Sequence, residues 1–165
     1  MENQILNHQQ IQYKIRRIAY QIYESNVDEE EIILAGIESG GLEFTRKIKA
    51  VLEKITPAKI TLCKVTMDKE APLESGVTTS LAPEAYQNRS IVLIDDVLNS
   101  GSTLIYGVHH FLKQPLRQLK TAVLVNRNHK RYPVKADFKG LSLSTSLQEH
   151  VRVDFSAKNY GVYLD

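Results

Sequence analysis

The sequence predicts a single α/β domain built on a mostly parallel, twisted sheet flanked by helices. Three observations carry that prediction. IILAGI (32–37), SIVLIDDVL (90–98) and TAVLVN (121–126) are short apolar runs of the kind that strands buried on both faces require. Stretches with helical spacing lie between these runs, the alternation expected of a parallel sheet. Finally, 165 residues suffice for one core without metal or disulfide staples, and the single cysteine, Cys63, cannot form an internal disulfide.

The elements follow in order. Asn7 and Gln10 have capping-box spacing, and Ile11, Ile15, Ile18, Ala19 and Ile22 repeat at helical intervals behind them, so 8–25 is an amphipathic helix. Its outer face carries Lys14, Arg16, Arg17 and Gln21, and Tyr13, Tyr20 and Tyr23 are expected to pack under or across it. The strand at 32–37 ends in Glu38-Ser39-Gly40-Gly41, and a helix follows over 42–55. KITLCKVTM (59–67) reads as a strand with Cys63 as a small core residue. Residues 68–88 contain Pro72, Gly76 and Pro83 and no sustained period, which in a compact domain marks a lid or binding loop. The strand at 90–98 runs through Asn99-Ser100-Gly101-Ser102-Thr103 into a helix with Leu104, Val108, Phe111 and Leu112 on one face. Shorter strands are expected at 136–144, 150–155 and 161–164, the second as an edge or half-buried strand.

Composition excludes several classes. No stretch approaches the roughly 18 apolar residues of a membrane span. The amino terminus opens with an acid, Glu2, and lacks an apolar signal core, so a cytoplasmic protein is expected. The net charge of +2 is an average over unlike halves. Residues 1–88 hold 10 basic and 13 acidic side chains, whereas 89–165 hold 11 and 6. Such asymmetry fits either a polyanionic partner or a solvated face.

Chemistry concentrates after the central strand. In open α/β sheets, ligands collect beyond the carboxyl ends of the strands, where Asp95 and Asp96 stand. The turn that follows offers backbone N–H groups, hydroxyls and a helix N-terminus, a combination suited to phosphate. Two carboxylates would repel that phosphate. They suit sugar hydroxyls, or Mg²⁺ held through water, so the combination points to a sugar phosphate. The same residues are also compatible with a capped turn and a merely polar connection. Neither a Gly-Lys-Ser/Thr phosphate loop nor a G-x-G-x-x-G dinucleotide pattern occurs.

IVLIDDVLNSGST (91–103) resembles the phosphoribosyl pyrophosphate signature of type I phosphoribosyltransferases. The similarity extends to ILNHQQIQYKIRRIAYQIYESN, IILAGIESGG and TAVLVNRNHKRYPVKADFKGLSLSTS, which resemble segments of the bifunctional pyrimidine-operon attenuator and uracil phosphoribosyltransferase family. The match is poorest over 56–88. The resemblance implies that Asp95 and Asp96 bind the ribose hydroxyls and that Asn99, Ser100, Gly101, Ser102 and Thr103 hold the 5-phosphate. It places Glu38, Ser39, Gly40 and Gly41 at the pyrophosphate loop and Lys69 in the lid. It implies Mg²⁺ as cofactor without direct protein ligands, a homodimer or higher oligomer, and phosphoribosyl pyrophosphate or a nucleoside monophosphate as ligand. The implied reaction transfers phosphoribose to a nucleobase, uracil foremost, with release of pyrophosphate.

Four departures set this chain apart from the family pattern. Glu38 puts a carboxylate where pyrophosphate is expected. Ser102 stands in place of an arginine, and Lys69, in Asp68-Lys69-Glu70, replaces the lid arginine as a point charge. Asn99 occupies the place of an acidic general base in purine-salvage relatives, and an amide takes no proton at neutral pH. These departures favour substrate binding over efficient turnover. The alternative function is an RNA-binding regulator using the pocket as a nucleotide sensor. Its candidate RNA contacts are Arg16, Arg17, Arg127, His129, Lys130, Arg131, Lys135 and Lys139, with Tyr132 available for stacking.

Overall fold

The structure, a computed structural model, describes residues 3–156 and 158–165; Glu2, the opening acid, lies outside them. The order is β1 (Asn3–Leu6), α1 (His8–Glu24), β2 (Glu31–Ile37), α2 (Gly40–Ile55), β3 (Lys59–Thr66), α3 (Pro72–Ser75) and β4 (Thr78–Thr79). It continues with α4 (Pro83–Tyr86), β5 (Ser90–Leu98), α5 (Ser102–Phe111), β6 (Gln118–Arg127), β7 (Phe138–Leu143), β8 (Val151–Asp154) and β9 (Gly161–Leu164). The main sheet has the order β4-β3-β2-β5-β6-β7, parallel throughout except for β4 at one edge.

The apolar runs are buried on both faces, as their composition requires. In β2, Ile32 and Leu34 join the core beneath α1 and α2, while Ile33, Ala35 and Ile37 join the core beneath α5. Cys63 is fully buried in the second core. The capping box at α1 forms as its spacing predicts: the Gln10 N–H donates to Asn7 Oδ1, and the Asn7 N–H to Gln10 Oε1.

Three differences have physical causes. The strand β1 has no alternation to mark it and exists because β9 pairs with it, Leu6 opposite Val162. With β8 these strands form a small antiparallel sheet, β1-β9-β8, in which β8 is an edge. Tyr13 and Tyr20 do not pack beneath α1. They lie on its exposed side because the isoleucine stripe already fills the buried face. Residues 68–88 are not an unstructured loop: β4 pairs with β3, and Tyr86 is buried edge-on against Phe111. Their later part is thereby anchored to the core, and exposed chain concentrates around Asp68–Gly76.

This topology positions the site. From β2 the chain moves to β3 on one side, then crosses back to β5 on the other, so β2 and β5 flank a topological switch point. Loops leaving two such strands diverge and open a crevice at their carboxyl ends.

Candidate functional site

A cavity of 430 Å³ opens at that crevice, lined by Lys69, the run Asp95–Leu104, Val123 and the run His150–Val153. Asp95 is buried; its Oδ1 accepts the Asp96 N–H at 2.9 Å and faces Lys69 Nζ at 3.2 Å. Burial, with the Asp96 charge beside it, pushes the Asp95 carboxyl up to about 7, and Lys69 only partly offsets this. Asp96 Oδ1 accepts the Val97 N–H at 2.8 Å. Lys69, assigned to the lid by sequence, is therefore already on the carboxylate pair.

The turn beyond the pair is built for close contact. Gly101 takes φ +88°, and a Cβ there would meet Val134 Cγ1 at 2.6 Å, so its lack of a side chain is required twice. Ser100 Oγ accepts the Ser102 N–H at 3.2 Å, whereas the Gly101, Thr103 and Leu104 N–H groups bond to no described residue. Free amides at the start of a ten-residue helix, lining a cavity, form an anion cradle.

The Glu38–Gly41 turn lies alongside. A Cβ on Gly40 would collide with the Asp96 carboxylate, and one on Gly41 would lie 2.9 Å from Asp95 Oδ1, so both glycines allow the turn to approach the pair. The peptide between Glu38 and Ser39 is cis. The Glu38 carboxylate turns toward β3, pairing with Lys64 Nζ at 2.8 Å and accepting from Thr66 Oγ1 at 3.0 Å. The Lys64 hydrogen bond chiefly holds this carboxyl below its usual range; desolvation opposes it, and the Thr66 hydrogen bond and the Lys64 charge add to the lowering. Ser39 and Gly40 border a neighbouring hollow of 340 Å³ that shares Val153 with the main cavity.

The basic residues divide. Arg127 is not a surface contact: it is 7 % exposed, and its guanidinium is spent internally. It donates to Asn99 Oδ1 at 3.0 Å, Thr145 Oγ1 at 2.9 Å, Ser146 O at 3.2 Å and Glu149 O at 2.7 Å. Its expected role in RNA contact is corrected on that ground, because β6 extends to Arg127 and buries it. His129 is half-buried, with Nε2 at 2.6 Å from Thr145 O. Lys130, Arg131, Lys135 and Lys139 are exposed, and Lys135 Nζ approaches Asp137 at 4.0 Å. Arg17 donates to the carbonyls of Lys139 and Gly140, both at 2.8 Å, which brings α1 and β7 together; Arg16 lies over the Tyr20 ring at 5.8 Å. The Arg131 N–H donates to Ser100 O at 2.7 Å, joining the basic loop to the phosphate turn.

His150 and Arg152 also line the main cavity, which no local sequence signal indicated. Only the pairing of β8 with β9 delivers them there; Arg152 is paired with Asp165 at 3.2 Å and stacks over Tyr163.

Known proteins share this sequence pattern and this fold. The phosphoribosyl transferase domain family matches residues 1–158. The chain belongs to the type I phosphoribosyltransferase family. Bifunctional protein PyrR of Geobacter sulfurreducens is 34% identical over 164 residues, covering 94% of this chain and 92% of that protein. Bifunctional protein PyrR of Streptococcus pneumoniae (strain CGSP14) is 31% identical over 145 residues, covering 86% and 83%. Among solved structures, the hypoxanthine phosphoribosyltransferase of Trypanosoma cruzi superposes with TM-score 0.81 at 15% identity over 99% of this chain and 95% of its own. A hypoxanthine-guanine phosphoribosyltransferase of Bacillus anthracis gives TM-score 0.70 at 18% identity, over 86% and 82%. At these identities the structures establish the fold alone. Among the described residues, no helix of this family member is long and apolar enough to cross a membrane.

Proposed function

We propose that the protein binds phosphoribosyl pyrophosphate, or a nucleoside monophosphate, and transfers phosphoribose to a nucleobase, uracil foremost, releasing pyrophosphate. The observation that carries this reading is the juxtaposition, in one cavity, of a carboxylate pair, Asp95 buried and Asp96 half-buried, and an amide-lined turn. Carboxylates accept hydrogen bonds from vicinal hydroxyls, and free amides donate to a phosphate. A sugar phosphate offers both.

In the reaction, the bond from the anomeric carbon to the pyrophosphate oxygen breaks with its electron pair leaving on pyrophosphate, a bond to a base nitrogen forms, and the base N–H proton passes to the released pyrophosphate or to water. The Gly101, Thr103 and Leu104 amides anchor the 5-phosphate, and Asp95 and Asp96 fix the ribose. Lys69 occupies Asp95 Oδ1, so a hydroxyl that takes that oxygen displaces the lysine and couples substrate entry to movement of the 68–76 segment. A lid of this kind would exclude water from the developing oxocarbenium centre. Glu38, held against Lys64, leaves the Gly40–Gly41 backbone available to the leaving group.

Among the described residues, no cluster of three or more His, Cys, Asp or Glu could hold a metal by itself. The donor chemistry nevertheless fits Mg²⁺: Asp95 and Asp96 offer hard oxygens, one of them buried beside a cation that can be exchanged. These two residues would hold it through water together with the diphosphate, and it would supply neutralisation of leaving-group charge. Incubation with phosphoribosyl pyrophosphate, Mg²⁺ and a panel of bases tests the proposal. Pyrophosphate release with uracil supports transferase function; none with any base, alongside nucleotide binding, leaves only the sensor.

That sensor is a second reading, favoured by the exposed Lys130, Arg131 and Lys139 and by Arg17 of α1, which sits on the Lys139 and Gly140 carbonyls. It predicts RNA binding that weakens with salt by about 0.7 in log–log slope per phosphate contact. Salt-insensitive or undetectable RNA binding removes it.

A further inference from the structure

Asn99, which the resemblance grouped with the 5-phosphate turn, lines the cavity with its side-chain oxygen on Arg127 and is not one of the amides of the phosphate cradle. The amides beyond it take the phosphate and the carboxylates before it take the ribose. Asn99, His150, Val151 and Val153 line the same cavity and are taken up by neither group, so they are among the residues left to meet the base. The orientation of the Asn99 amide is fixed by chemistry. Arg127 Nη1 lies 3.0 Å from Asn99 Oδ1, and a guanidinium has donors only, so the oxygen must face Arg127. The Asn99 NH₂ therefore faces away from Arg127, and among the described residues it has no partner. Arg127 cannot swing off, because three further bonds tie it to Thr145, Ser146 and Glu149.

We propose that Asn99, locked by Arg127 as a hydrogen-bond donor, determines base specificity: the accepted base presents a lone pair to Asn99 Nδ2, not an N–H. This rests on the phosphoribosyltransferase reading and deepens it by naming the chemistry of the base edge. The acceptor is a carbonyl oxygen or an unprotonated ring nitrogen. Arg127 is the positioning residue, acting through Asn99 and through the 145–149 segment that leads into β8. The buried arginine thus has a function that its expected place on an RNA surface did not give it.

Calorimetric titration of the full chain tests this with ribose 5-phosphate and two sets of matched nucleotides. One set is uridine monophosphate with its 2-thio and 4-thio analogues, in which a weak sulfur acceptor replaces a carbonyl. The other is inosine monophosphate with its 7-deaza analogue, which lacks a ring nitrogen acceptor. The unaltered protein should disfavour one acceptor-deleted analogue by about 3- to 10-fold, the value of one net hydrogen bond, and the analogue disfavoured identifies the atom. Asn99→Ala and Asn99→Asp should abolish that preference: the ratio of affinities for each parent nucleotide and its analogue falls to about one, whatever either variant does to ribose 5-phosphate binding. The Asn99→Asp variant keeps an oxygen for the Arg127 contact but offers no N–H. Arg127→Lys should lose the preference too, and the exposed Asn99 variants keep the test independent of how that buried variant folds. Equal binding of every analogue by the unaltered protein, or a preference that survives Asn99→Asp, overturns the proposal. If neither ribose 5-phosphate nor any nucleotide binds, the phosphoribosyltransferase reading falls, and this proposal with it.

Discussion

The two sides of the crevice are built differently. On the β5 side, the carboxylate pair, the turn and α5 form one continuous run, 95–104, with Asp95 buried, Gly101 fixed by a positive φ, and Asn99 held by a buried arginine. On the β2 side, the exposed 68–76 segment meets the first side through a movable contact. The segment reaches it through Lys69 on Asp95, Glu38 turns away to β3, and only the backbone of Gly40 and Gly41 packs closely on the pair. Sites that must grip need rigidity, and sites that must open need contacts that are easily exchanged. The comparison teaches that binding strength should reside in the β5 side, and gating in the β2 side.

The contrast can be broken by mutation. Converting Asp95 and Asp96 together to Asn should abolish the thermal stabilisation that uridine monophosphate confers, about 2.7 kcal/mol at one hundred times its Kd. An unchanged shift in a melting assay would falsify the site assignment. Next in size is Gly40→Ala, which drives a methyl group into Asp96 and should cost about 1–3 kcal/mol, measured by urea denaturation.

Asp95→Asn alone should work in the opposite direction on the empty protein. The folded-state pKa of Asp95 lies near 7, above its ordinary 3.8, so between those pH values the folded state holds a proton that the unfolded state has lost. Its stability contribution therefore falls as pH rises from about 4 to about 7 and stays low above that. The Asn variant should melt higher than the unaltered protein at pH 8, by several degrees, and show little difference at pH 4. A variant that melts lower at pH 8 would refute the burial cost. The smallest effect belongs to Glu38. Because Lys64 already pairs with it, Glu38→Gln should alter pyrophosphate affinity by no more than a few-fold, whereas Lys64→Ala, which frees the carboxylate, should weaken it more. Competition binding with inorganic pyrophosphate ranks the two.

The legible parts of this protein are those whose signal is local. The strand SIVLIDDVL has the predicted bounds, Ser90–Leu98, because unbroken apolarity followed by acids and a glycine turn leaves little latitude. The α1 helix stops at Glu24, one residue short of its expected end, and its capping box is the one that Asn7 and Gln10 announce. Illegible were β1, which only β9 makes a strand, and the cavity lining at Arg152 of β8 and at His150 just before it. Arg127 was legible as a charge but not as a buried one.

By itself, then, the sequence determined the alternation of strands and helices and the carboxylate pair followed by a phosphate turn, because periodicity and turn chemistry act over a few residues. Only the tertiary structure decided where the charges face. It set Glu38 against Lys64, Lys69 on Asp95, and Arg127 beneath Asn99. Those partners lie 26, 26 and 28 positions apart, and a charge takes its meaning from what stands within a few ångströms, not from its neighbours along the chain.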